Sequence, residues 1–166
     1  MIATTETMVR MGELVVSKNP SDVLVSIGLG SCIGLALIDR ARMVAGLAHV
    51  MLPAQNAAEA DPIAKFADTG VPALLAKLKA LGSSPARLEA VLVGGARMFS
   101  FSSSTLDIGA RNAEATLEQL KKHGIRVVAQ EVAGTTGRTI RVHVDGGVVV
   151  CKPTGGTEQV LVGARA

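Results

Sequence analysis

The sequence predicts a single α/β domain that is richer in strand than in helix. Three observations lead there. Short β-rich runs crowd the first third of the chain, two helically spaced segments lie beyond it, and the last third returns to apolar strands. At 166 residues the chain suits one domain, and a chain of this length buries roughly 70% of its extended surface without needing staples.

Taken in order, Glu13 to Ser17 and Asp22 to Ile27 read as strands separated by the turn signal Lys18-Asn19-Pro20-Ser21. Two runs apolar on both faces follow, "SCIGLALID" and "MVAGLAHVM", joined by polar Arg40-Ala41-Arg42. Such runs suit buried strands. "LPAQNAAEADP" is a loop. Leu74, Leu75, Leu78 and Leu81 recur at helical spacing, with Gly82 at the expected C′ position. Pro72 stands either in that helix's first turn or at a kink in one begun near Ala64. "LEAVLVGGARMF" is a strand ending in paired glycines. A second helix spans about 110–122 and stops at Gly124. "IRVVAQEV", "RTIRVHV" and "GVVVC" are three further strands, the last two joined through Asp145-Gly146-Gly147.

The composition excludes several functions. Aromatics make up 2% of the chain, with no Trp or Tyr, so the platforms on which single-stranded nucleic acid stacks are missing. The net charge of +3 is scattered and makes no phosphate-tracking stripe, although it favours encounter with an acidic protein. Two cysteines do not make a disulfide framework. The N-terminus carries Glu6, Arg10 and Glu13 where a signal peptide needs an apolar stretch. The uncharged run Val23 to Ile38 has 16 residues and three glycines, too short and too interrupted to span a membrane. A soluble cytoplasmic protein is expected, with neither metal nor cofactor, because the cysteines and histidines show no ligand spacing.

The chemistry centres on "GLGSCIGL", residues 28–35. Of three histidines, His123 ends the second helix, where it can cap carbonyls, and His143 alternates on a late strand. His49 lies inside the strand that follows the one led by Cys32. A hairpin centred on Arg40-Ala41 puts Cys32 directly opposite His49 on one face, where a thiolate–imidazolium pair can form. A one-residue slip separates them. Gly28 and Gly30 let a substrate come close, and N–H groups around Ser31 can hold an oxyanion. Ser26 offers a hydroxyl to orient the histidine or a bound amide. From the residues alone, Cys32 and His49 are either a nucleophile with its base or two buried strand residues.

"GLGSC" followed by "AHVMLP", with its histidine seventeen positions after the cysteine, resembles the CheD family of chemoreceptor glutamine deamidases. "FADTGVPALLAKL", "LEAVLVGGARMF", "IGARNAEATLEQLKKHGI" and Gly137-Arg138 extend the match over about residues 10–152, leaving 153–166 as a tail. The resemblance implies packed β-sheets flanked by helices, akin to deamidase toxins of the cytotoxic necrotizing factor type. It implies hydrolysis of receptor glutamine side chains to glutamates, with Cys32 as nucleophile, His49 as general base, and Ser26 at a position where the family usually has threonine. It implies chemoreceptor cytoplasmic helices as partners. A CheC-type phosphatase is a further implied partner, and with it comes an alternative reading as a regulatory adaptor. Ala133 stands where the family commonly has a glycine pair. Of the other matched residues, Gly94-Gly95 suit a tight turn beneath the site, Asn112 either orients a loop or simply opens its helix, and Met98, Phe99 and Phe101 read as core or rim. Cys151 reads as structural.

Overall fold

The computed structural model describes residues 3–54, 62–98 and 107–163, so Phe99 and Phe101 lie outside it. Two five-stranded sheets pack face to face. The first has the order β1 (Thr5–Met8), β3 (Asp22–Leu29), β8 (Arg138–His143), β9 (Val148–Pro153), β10 (Gln159–Val162). The second has the order β2 (Leu14–Ser17), β5 (Val44–Val50), β4 (Ile33–Asp39), β6 (Glu89–Gly94), β7 (Arg126–Val132). Helices α1 (Ala67–Ala80) and α2 (Ile108–Lys122) cover the outer face of the second sheet.

The double-sided apolarity of β4 and β5 has its reason in this layering. Leu35, Leu37, Ala48 and Val50 face the helices, packing with Leu74, Leu78 and Leu120. Ala36, Ile38, Ala45 and Leu47 face the first sheet, against Leu24, Ile140, Val142 and Val149. Every residue of both strands is buried. At about 25 cal/mol per Å² of apolar surface, these two interfaces dominate the stability.

The helices end as their residues predict. Ser83 N–H returns to Leu78 O and Gly82 N–H to Lys79 O, a Schellman closure of α1. Asp107 caps α2 by accepting from the Ala110 N–H at 3.0 Å. Pro72 lies inside α1, beyond the first turn, and the helix begins at Ala67 after a separate turn at Ile63–Lys65. His123 follows α2, but its Nε2 has no hydrogen-bond partner among the described residues, so the imidazole does not cap carbonyls as expected. Two strands lie outside those the sequence predicts. β1 pairs in parallel with β3, and β10 pairs with β9 inside what reads as a tail. Both are four-residue edge strands: Thr-Glu-Thr-Met of β1 has no apolar alternation, while Val160-Leu161-Val162 of β10 is β-rich but isolated after a Gly-rich turn.

Candidate active site

The β4–β5 register differs from the expectation by two residues. His49 pairs with Gly34, and Ile33 with Val50, because Arg40 to Met43 form a four-residue connection between Asp39 and Val44. Met43 takes a left-handed conformation (φ 53°) that lengthens the turn. Cys32 therefore stands just before β4, diagonal to His49 rather than directly opposite. Cys32 lies in the bend before β4 and packs against the cluster between the sheets, the side that His49 shares with Leu47 by strand alternation. Gly34, with no side chain, is what stands across from His49. No hydrogen bond joins Cys32 to His49, a looseness expected of a catalytic pair without bound substrate.

His49 is buried and its Nδ1 lies 3.1 Å from the carbonyl oxygen of Val9. Since a carbonyl can only accept, Nδ1 carries the proton and Nε2 keeps its lone pair. The Ser26 hydroxyl donates to the same Val9 oxygen at 2.8 Å. Ser26 thus acts on the histidine through Val9 and makes no direct bond to it. The segment that supplies Val9 is itself tied down: Val9 N–H to Val25 O at 2.7 Å, His49 N–H to Glu13 O at 2.9 Å, and Gly12 N–H to His49 O at 2.9 Å. Nothing in a sequence marks a backbone carbonyl, so the part played by Val9 is visible only in the fold.

Burial pushes the Cys32 thiol above its ordinary value. Burial also lowers His49, against the opposing pull of the Val9 hydrogen bond and the Glu13 carboxylate. Both shifts favour a neutral thiol beside a neutral imidazole over the expected thiolate–imidazolium pair.

The loop before Cys32 is anchored through its carbonyls. Gly30 O accepts from Ala96 N–H, Ser31 O from Asn112 Nδ2, and Cys32 O from Gly95 N–H, each at 2.9 Å. Gly94 is required here: at φ 116° any Cβ would collide with the Cys32 carbonyl oxygen. Gly28 sits in the bulge between Ser26 and Leu29, its N–H directed at Thr139 Oγ1 at 3.4 Å. It contributes openness rather than a free donor. A hollow of about 230 Å³ beside His49 is lined by Met8, Val9, Arg10, Met11 and Ile27, and Met11 and Ile27 are exposed at its rim. Neither Cys32 nor Met98 lines this hollow; Met98 lies over Gly30, two residues before Cys32, and is likewise exposed. A larger hollow of about 440 Å³ lies between α2 and β7, floored by Ala113, Leu117 and Val132, and neither Cys32 nor His49 lines it. Cys151 is fully buried in β9.

Residues 51–153 match the family model described as CheD chemotactic sensory transduction. The chain belongs to the CheD family. It is 44% identical over 146 residues to the "Probable chemoreceptor glutamine deamidase CheD" of Methanococcus maripaludis, covering 87% of this chain and 93% of that one. It is 39% identical over 155 residues to the "Chemoreceptor glutamine deamidase CheD" of Thermotoga maritima, covering 93% and 96%. Among solved structures, the Neisseria meningitidis protein NMB0706, titled with the family model DUF152, superposes with a TM-score of 0.52 at 10% identity. That likeness covers 79% of this chain and 64% of the other, and it bears on the fold alone. Among the described residues of this CheD chain, no group of three or more His, Cys, Asp or Glu is placed to hold a metal. No helix among them is long and apolar enough to cross a membrane.

Proposed function

We propose that this chain is a chemoreceptor glutamine deamidase in which Cys32 is the nucleophile and His49 the general base. The enzyme class comes with the family: the relatives named above are called glutamine deamidases, which are amidohydrolases. The observation that carries the residue assignment is the Val9 carbonyl, which fixes His49 with Nε2 unprotonated on the face it shares with Cys32. A general base needs one ring nitrogen held by an acceptor and the other left with its lone pair, which is the arrangement of His49.

The chemistry follows from the neutral pair. As the Cys32 sulfur attacks the glutamine Cδ, His49 Nε2 takes the thiol proton, and the carbonyl becomes an oxyanion. Backbone N–H groups of the anchored loop around Ser31 face that charge. Collapse of the intermediate passes the proton from Nε2 to the leaving nitrogen, which departs as ammonia and leaves a thioester. His49 then takes a proton from water, the hydroxide attacks the thioester, and glutamate leaves as the thiol is restored. Ser26 holds Val9 and, through it, the ring. Exposed Met11 and Ile27 beside His49, with exposed Met98 over Gly30, suit a glutamine presented on the apolar-flanked surface of a cytoplasmic receptor helix.

The test is peptide mapping by mass spectrometry of a purified receptor cytoplasmic fragment incubated with this protein. Glutamine-to-glutamate conversion at discrete sites is expected, and none with Cys32→Ala. Binding of the fragment by both proteins without conversion by either would refute catalysis and favour an adaptor.

A further inference from the structure

We propose that Asn112 is a positioning residue that sets the oxyanion-binding amide of Cys32 and locks the nucleophile loop to the histidine strand. The assignment rests on the deamidase reading above. Asn112 is fully buried in α2 and donates both N–H bonds of its amide to backbone carbonyls, Ser31 O and Met51 O, each at 2.9 Å. Ser31 immediately precedes the nucleophile. Met51 immediately follows β5, two residues beyond His49. One side chain thereby joins the two segments that carry the reacting groups.

The planarity of the peptide group gives this bond its direction. In a trans peptide the carbonyl of one residue and the N–H of the next point opposite ways. With Ser31 O drawn toward α2, the N–H of Cys32 points away from the helix. With Gly30 O drawn to Ala96 N–H, the N–H of Ser31 likewise points away from the loop that holds it. Two adjacent donors are then presented beside the sulfur, where an oxyanion forms.

A purely structural role fits the remaining atom badly. Asn112 Oδ1 is buried with no hydrogen-bond partner among the described residues, which is unfavourable in an apolar setting. A buried aliphatic side chain would spare that atom but leave Ser31 O and Met51 O without these donors, so it is the two directed N–H groups that explain an amide here. The approach of α2 is itself enforced. Gly109, in its first turn, packs so tightly on the carbonyls of Gly95 and Ala96 that a Cβ there would collide with both.

The experiment compares wild type with Asn112→Ala and Asn112→Asp, the latter keeping the shape but placing an oxygen where Nδ2 donates. Steady-state ammonia release from the receptor fragment is measured alongside the pH profile of Cys32 alkylation by iodoacetamide, which builds no oxyanion. Both variants are expected to lose about 10²-fold in kcat, as for removal of an oxyanion donor, with KM nearly unchanged and the alkylation profile unmoved. Thr116→Val, one turn further along α2, removes the bond from Thr116 Oγ1 to Asn112 O without touching the amide, and its kcat is expected to match wild type. Unchanged kcat in both Asn112 variants, loss of alkylation in step with activity, or failure of both to fold would each overturn the assignment while leaving the deamidase reading in place. Absence of any glutamate with the wild-type protein would instead overturn that reading, and the assignment with it.

Discussion

The two ends of β4 carry buried polar clusters of opposite character. At its far end, Asp39 is closed in: its carboxylate accepts from Ser83 Oγ at 2.7 Å, Arg87 Nε at 3.1 Å and Arg42 N–H at 3.2 Å. Beside it, Glu89 holds Arg40 at 2.7 Å and Arg126 at 3.4 Å. At the near end, Cys32 and His49 keep reactive atoms uncommitted, and the polar atoms around them serve to aim rather than to neutralise. The Asp39 end fastens the α1–β6 connection to the sheet, while at the other end Cys32 is half-buried and His49 borders a hollow edged by exposed Met11 and Ile27. Burial alone does not tell a working cluster from a fastening one. What separates them is where the polar groups are bonded: Asp39 and Glu89 to cationic side chains, His49 and Ser26 to the main chain of Val9.

The sharpest way to break this contrast is to exchange consequences between the ends. His49→Gln is expected to cut deamidation by about 10²–10⁴-fold while barely shifting the thermal midpoint. The wild-type pH profile sharpens the same point. Because His49 is held below the usual imidazole value, its basic form persists on acidification past that value, and kcat/KM falls only at lower pH. Because the Cys32 thiol is held above its usual value, no alkaline limb is expected until beyond that value. A thiolate–imidazolium pair would instead show Cys32 alkylation already at its plateau near neutrality.

Asp39→Ala is expected to do the reverse of His49→Gln. It leaves Ser83 and the half-exposed Arg87 without their acceptor and costs about 2–3 kcal/mol in denaturant unfolding, with kcat for the folded fraction unchanged. Ser26→Ala ranks next. Removing the hydroxyl leaves the Val9 carbonyl held only by the histidine it is meant to orient, for a loss of about 5-fold in kcat, the equivalent of one hydrogen bond of about 1 kcal/mol. The smallest effect is expected at Ala133, which takes a left-handed φ of 68° next to Gly134 in the loop whose carbonyl accepts from Arg138 at 2.8 Å. Ala133→Gly relieves that conformation and is expected to stabilise the fold by about 1 kcal/mol or less, read from the same unfolding curves.

Much of this architecture is legible in residue patterns because burial writes itself into apolar runs. The double-sided runs of β4 and β5 announce strands covered on both faces, and Leu74, Leu75 and Leu78 announce a helix lying on them. Register is less legible, since it depends on the length of the Arg40–Met43 connection and on a left-handed methionine no propensity favours. Cys32 and His49 nevertheless share one side of the sheet. The third partner is invisible for a different reason. The sequence offers the Ser26 hydroxyl to the histidine or to a bound amide, but it bonds the main chain of Val9, and a carbonyl has no sequence signature. Asn112 was open between two readings, and only the fold brings it to Ser31 and Met51.

The central claim is that a glutamine carbonyl becomes bonded to the Cys32 sulfur. The most direct measurement is acid quenching of the protein with receptor fragment in the first turnovers, followed by peptide mapping of any covalent adduct. The account predicts a hydroxylamine-sensitive receptor thioester on the Cys32 peptide, absent from Cys32→Ala together with all glutamate formation. Glutamate appearing at an undiminished rate in Cys32→Ala would contradict it.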